Sequence, residues 1–202
     1  LDRSGIVTAA FALLDEAGLD GVTMRALAAR LSVQAPALYW HVRDKAALGG
    51  LMAEALYAEA LGLAETVRMR FERLRQETAQ QTGLEDDLRR VQISCEALRT
   101  TTRVMHCLAW LLNHRAHFAG ELSELQLRRH GRLIANFPAS EVDVVKTLPA
   151  DVALLVRESE RLYQRIQRLE TAWRVEVSSS ESAVRRLRER LARAVEDTTS
   201  AA

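Results

Sequence analysis

Residues Thr23 to Lys45 read TMRALAARLSVQAPALYWHVRDK. Thr23 is placed to cap a helix over Met24 to Leu31, and Ser32-Val33-Gln34 interrupts it. A second, very short segment follows, with Pro36 in its first turn and Tyr39, Trp40 and His41 adjacent near its end. Two short helices on a tight connection are the sequence form of a helix-turn-helix, whose second helix enters the major groove by its N-terminal residues. Leu38 is the natural inward anchor, so Pro36, Ala37, Tyr39, Trp40 and His41 face outward. A surface helix in water would carry Glu, Lys or Gln there. Outward aromatics want a partner surface. A DNA groove offers apolar contact with thymine methyls and polar contact with phosphates and base edges.

Outward from this stretch, the preceding helix is expected from Arg3 to Ala17, with Asp2 or Ser4 as cap and Gly18 as stop. Ile6, Val7, Ala10, Phe11, Leu13, Leu14 and Ala17 form its apolar stripe. Leu27, Ala28, Leu31 and Leu38 complete a three-helix core. Asp44 caps a fourth helix, expected from Lys45 to about Ala64, with no linker before it. Such a helix is a rigid lever between the head and the rest of the chain.

Residues 1 to about 56 resemble the DNA-binding end of TetR-family regulators. The resemblance is carried by LLDEAGLDGVTMRALAARL, by the Pro-Ala-Leu-Tyr-Trp-His-Val-Arg-Asp-Lys run and by the Leu-rich start of the next helix. It implies DNA contacts from Thr23, Arg25, Ala35, Pro36, Ala37, Tyr39, Trp40, His41 and Lys45. Ala35 and Ala37 stand where the resembled motif carries Gln and Thr, so the operator sequence is expected to differ. The resemblance also implies a homodimer on a palindromic double-stranded operator, released by a small-molecule inducer, in the cytoplasm.

Composition sets bounds on this reading. The 202 residues are 48% hydrophobic with three Pro and nine Gly, as expected of an all-α protein. Net charge is +1, and in the head Arg3, Arg25, Arg30, Arg43 and Lys45 are balanced by Asp2, Asp15, Glu16, Asp20 and Asp44. DNA binding must then rest on placed contacts and helix N-termini rather than on a basic patch. Cys95 and Cys107 are expected to be reduced and buried. No signal peptide is visible and no apolar run is expected to span a membrane.

Residues 1–45 are therefore expected to be a helix-turn-helix domain, and 46–202 a helical ligand-binding and dimerisation domain. Helices are expected at Thr66 to Gln81, Leu84 to Arg99, Arg103 to Phe118, Glu121 to Ala135, Ser140 to Leu148, Asp151 to Val175 and Glu181 to Val195. In Arg103 to Phe118, the most apolar stretch of the chain, His106, Trp110, His114 and Phe118 recur every four residues and are candidates to line a ligand cavity, against ordinary core packing. Leu155, Leu162, Ile166, Leu169 and Trp173 follow a coiled-coil spacing, and Val184, Leu187, Leu191 and Val195 a similar one. These seams are the candidate dimer interface, by analogy with the terminal helices of the resembled family; the alternative is a hairpin packed on its own core. His114, His117 and Glu121 share a face able to hold a metal, a weak signal, and no metal or cofactor is assigned. No phosphate loop, Ser elbow, His-Glu-x-x-His or Glu-x-x-His pair is present, so no catalytic residue is assigned. The competing reading is a helical interaction protein without DNA binding.

Overall fold

The structure, a computed structural model, describes residues 1–79 and 83–173. Among them every regular element is a helix. The head consists of α1 (Arg3–Gly21), α2 (Met24–Arg30) and α3 (Ala35–Tyr39). The body consists of α4 (Lys45–Thr78), α5 (Leu84–Phe118), α6 (Glu124–His130), α7 (Val142–Thr147) and α8 (150–173).

Gly18 interrupts α1 as expected, at φ 67° and ψ −172°, a conformation open essentially to glycine alone. Asp44 caps α4 by accepting from the Ala47 N–H at 2.7 Å. The helix does not end near Ala64. Nothing between Lys45 and Thr78 breaks it, so the charged stretch expected as a separate helix is its second half. The helices expected on either side of Thr100-Thr101-Thr102 are likewise one, because β-branched residues weaken a helix without stopping it. The element expected from Glu121 to Ala135 shrinks to α6. Ser123 and Gln126 form a capping box at its start, and the chain leaves the helix at Gly131.

Residues 131–141 are irregular yet packed. Leu133 is buried, and the Leu133 and Ser140 N–H groups donate to Glu170 at 3.1 Å and Glu160 at 3.0 Å on α8. The Tyr163 hydroxyl donates to the Ile134 carbonyl at 2.5 Å. Side chains of α8 thus supply the partners that a helix would have supplied.

α4 and α5 run antiparallel: Gly49 meets Phe118, Arg115 pairs with Glu54 at 2.5 Å, and Phe71 shares a core cluster with Ile93. α8 lies along both. Arg165 pairs with Glu59 of α4 at 2.8 Å, and Arg103 of α5 donates to Ser159 at 2.7 Å. Arg165 also lies over Phe11 of α1, and Arg168 pairs with Asp15 at 3.0 Å. One apolar cluster runs from Ile6, Leu27 and Leu38 through Leu48 and Leu56 to Trp110, Leu162 and Ile166. The division expected between residues 45 and 46 is therefore not a break in the core.

Two expectations need correction here. By length and composition alone α4 is apolar enough to cross a membrane, contrary to the expectation that no run approaches a span. Its Leu48, Met52, Leu56 and Ala60 are instead buried against the protein's own core. The seam assigned to dimerisation is also internal. Leu155 is 9% exposed, Leu162 1%, and Ile166 and Leu169 0%, all within this one chain. Trp173 stacks inward on Trp110 with centroids 5.4 Å apart. Coiled-coil spacing marks a buried stripe, and here α4, α5 and the head bury it. Leu187 and Leu191, with Val184 and Val195, lie outside the described residues.

Candidate nucleic-acid interface and junction cavity

The helix-turn-helix is built by two local devices. Thr23 accepts from the Ala26 N–H at 3.1 Å and starts α2. The helix then ends in a Schellman turn: Ser32 N–H donates to Ala29 O at 3.1 Å, Val33 N–H donates to Ala28 O at 3.0 Å, and Ser32 takes φ 55°. This reverses the chain into α3, whose first turn holds Pro36. Leu38 at 0% and Val42 at 1% exposure plug α3 and its exit into the core. The side chains between them are pushed out. Tyr39 is 53% exposed and Trp40 90%. Thr23, Arg25, Pro36, Ala37 and Lys45 are also exposed, whereas Ala35 and His41 are half-buried. Most of the predicted contact residues are thus accessible on the head, with Ala35 and His41 recessed.

The head's neutral charge sum conceals a division of labour. Glu16 holds Arg30 through two hydrogen bonds, at 2.6 and 2.8 Å, and the guanidinium keeps its carboxyl below the usual range. Asp15 faces Arg168, Asp2 accepts from the Gly5 N–H at 2.9 Å, and Asp44 is spent on its cap. Backbone donation from Ala47, with Arg43 beside it, holds the Asp44 carboxyl low. Arg25 makes no ion pair among the described residues and stands exposed at the start of α2.

The aromatic stripe of α5 divides. Trp110, His114 and Phe118 gather around Trp173 of α8: Trp110 and His114 stack at 3.7 Å, His114 and Trp173 at 5.2 Å, and Phe118 meets Trp173 edge-on at 5.3 Å. His106 sits apart, against Phe137 at 5.8 Å. A cavity of about 240 Å³ lies beside this stack. Val22 and the first turns of α4 form one wall, and His114, His117, Phe118, Leu127 and Trp173 the other. Of the predicted lining residues, His114 and Phe118 reach it. Trp110 supports it from behind, and its buried indole N–H finds no hydrogen-bond partner among the described residues.

Gly49 was not singled out in the sequence. A Cβ there would stand 2.8 Å from Phe118, so glycine is what lets α4 and α5 close at this point. The face of His114, His117 and Glu121 does not form. α5 ends at Phe118, Gly120 turns at φ 80°, and Glu121 lies exposed past the helix end. Also unforeseen is a buried polar cluster near the middle of α5. Glu96 is 0% and Arg103 1% exposed; Arg103 donates to Ser159, Ser140 and the Pro138 carbonyl, while Ser140 donates to Glu96. Nothing in the local pattern separates these two from solvated neighbours.

Residues 6–49 match the family described as bacterial regulatory proteins, tetR family, and residues 47–195 match Protein of unknown function (DUF1465). Over 59 residues the chain is 54% identical to the class A tetracycline repressor protein from transposon 1721 of Escherichia coli, covering 29% of this chain and 27% of that one. It is 48% identical over 59 residues to the class G tetracycline repressor protein of Vibrio anguillarum, covering 29% and 28%. An HTH-type transcriptional regulator of Saccharopolyspora erythraea is 42% identical over 59 residues, 29% of this chain and 25% of that one. The chain belongs to the family described as Protein of unknown function (DUF1465), whose match covers most of it, and its head resembles the tetR family over residues 6–49.

The chain spans only about a quarter of the length of the curated relatives it matches. The shared part coincides with α1, α2, α3 and the start of α4, which carry the exposed Tyr39 and Trp40. The cavity straddles the boundary. Val22, Lys45 and Ala46 come from the TetR-like segment, and His114, Leu127 and Trp173 from the DUF1465 segment.

Proposed function

We propose that this protein is a transcriptional repressor that binds a palindromic operator as a homodimer and releases it when a small molecule binds. It is a binding protein rather than a catalyst, acting in the cytoplasm where the operator lies. The observation that carries the reading is Trp40, 90% exposed beside Tyr39 at the end of a helix otherwise anchored by a fully buried Leu38. A large apolar ring held in water is stabilised by a partner, and the groove offers thymine methyls and sugar edges to it. Thr23, the imidazole of His41 and the N-terminal turns of α2 and α4 suit phosphates, and Arg25 suits a guanine edge.

Two heads are needed to read two half-sites about 34 Å apart. A surface that supports pairing exists on α5. Leu84, Leu88, Val91, Leu98, Met105 and Leu112 are 47–79% exposed and recur at coiled-coil spacing along one face. This face, rather than the stripe on α8, is the candidate seam between copies. A ligand that favours one tilt of α4 would shift the population of head spacings and so the affinity for the operator.

Selection of bound genomic fragments followed by gel shift tests the reading. Wild-type protein is expected to retain specific fragments, with affinity falling steeply as salt rises because phosphate contacts release counterions. Trp40→Ala is expected to lose binding with helix content and melting temperature unchanged, since the ring packs on almost nothing. Unchanged binding by Trp40→Ala would falsify the head assignment.

A further inference from the structure

The junction cavity has a chemistry that the repressor reading leaves open. His114 is 6% exposed and packs against both Trp110 and Trp173, which also stack on each other. Its Nδ1 lies 2.9 Å from the Trp110 carbonyl. A carbonyl only accepts, so the proton of the neutral ring is on Nδ1 and Nε2 keeps a lone pair. His114 makes no other hydrogen bond among the described residues. Burial pushes its pKa down to about 4, which keeps the ring neutral at physiological pH. Nδ1 of His117 lies 3.1 Å from the Leu122 carbonyl. The cavity is thus lined by the neutral His114, by His117 and by Lys45 among aromatic and aliphatic walls. About 240 Å³ suits a guest of one or two fused rings, given that a cavity of about 150 Å³ holds benzene.

We propose that this cavity is the effector site, and that it takes a small planar aromatic molecule carrying a hydrogen-bond donor, a phenol or an aryl N–H, received by Nε2 of His114. The assignment rests on the repressor reading for its consequence but not for its chemistry. The guest would sit between Val22, Ala46 and Gly49 on one side and Phe118 and Trp173 on the other. Those two walls are the N-terminal turns of α4 and the α5–α8 pair. Gly49 and Phe118 are in close contact at this point, so filling the space beside them bears directly on the angle at which α4 leaves the body. The head is reached without a relay through the core.

Calorimetric titration of the full chain with 2-naphthol, 2-methoxynaphthalene and 2-naphthoate tests the assignment. 2-Naphthol is expected to bind at least about ten-fold tighter than 2-methoxynaphthalene, which has no donor, because an unpaired buried acceptor carries that penalty. His114→Phe keeps the ring and loses the acceptor, and is expected to bring the two to equal affinity. Ala46→Phe, at an exposed position on the cavity wall, is expected to abolish binding of all three, and it decides occupancy should His114→Phe fail to fold. Equal binding of the first two by wild type, a preference for 2-naphthoate, no binding at millimolar concentration, or binding that Ala46→Phe leaves intact each overturns the proposal. Gel shift on a selected fragment separates the two levels. Protein that binds DNA but ignores 2-naphthol overturns the cavity assignment alone, whereas protein that binds 2-naphthol but no DNA sustains the cavity and overturns the repressor.

Discussion

Ser32 holds φ 55° in the Schellman turn between α2 and α3, a left-handed conformation that costs a non-glycine residue about 1–2 kcal/mol. Glycine would remove that cost and return part of it as unfolded-state entropy. Ser32→Gly is therefore expected to raise stability by about 0.5–1 kcal/mol in urea titration, with DNA affinity unchanged. His114 makes a second prediction at this scale. Its folded pKa of about 4 lies below the ordinary 6.5, so the unfolded chain takes up a proton that the native ring refuses. The contribution is neutral above pH 6.5 and turns destabilising as pH falls toward 4, reaching about 3 kcal/mol. Wild type is expected to lose more stability than His114→Phe between pH 7 and pH 4.5. An equal loss would show that the ring is already charged when folded. Cys95, expected to be buried, is exposed, while burial pushes the Cys107 thiol up to about 12. The fifth-helix pattern offered both cysteines equally, and only the packing of α5 tells them apart.

Among the elements, α3 was the most legible and α8 the least. In α3 one buried Leu38 and one Pro36 leave no ambiguity about which side is out. In α8 the same stripe would serve a seam within the chain or between chains, because a helix's periodicity names its buried face and not the body that buries it. α5 supplies the converse. Its N-terminal half looked like solvated charged helix, yet it buries Glu96 and Thr100 on one side and shows Leu84, Leu88, Val91 and Leu98 on the other. If that exposed run is the seam between copies, Leu98→Glu is expected to yield a monomer by sedimentation with little change in monomer stability, Leu98 being 70% exposed. A dimer that survives this change pairs through another surface.

For the whole molecule, the decisive feature is a core shared by head and body. Leu27 of α2 is fully buried in the same cluster as Leu56, Trp110 and Ile166. Leu27→Ala is expected to cost about 3 kcal/mol and to lower one melting transition for the entire chain. Separate melting of head and body in calorimetry would contradict that continuity. Arg168 to Asp15 and Arg165 over Phe11 add polar ties between α8 and α1. The sequence by itself determined the helical class, the helix-turn-helix, the outward Tyr39 and Trp40 and the Asp44-capped start of α4, because each follows from caps, breakers and spacing within a few residues. Only the tertiary structure decided that the α8 stripe faces inward, that Trp173 completes an aromatic wall with His114 and Phe118, and that a cavity opens where α4 leaves the head. Those outcomes depend on which helices meet across more than fifty residues of chain, and apolar spacing along one helix is silent about its partner.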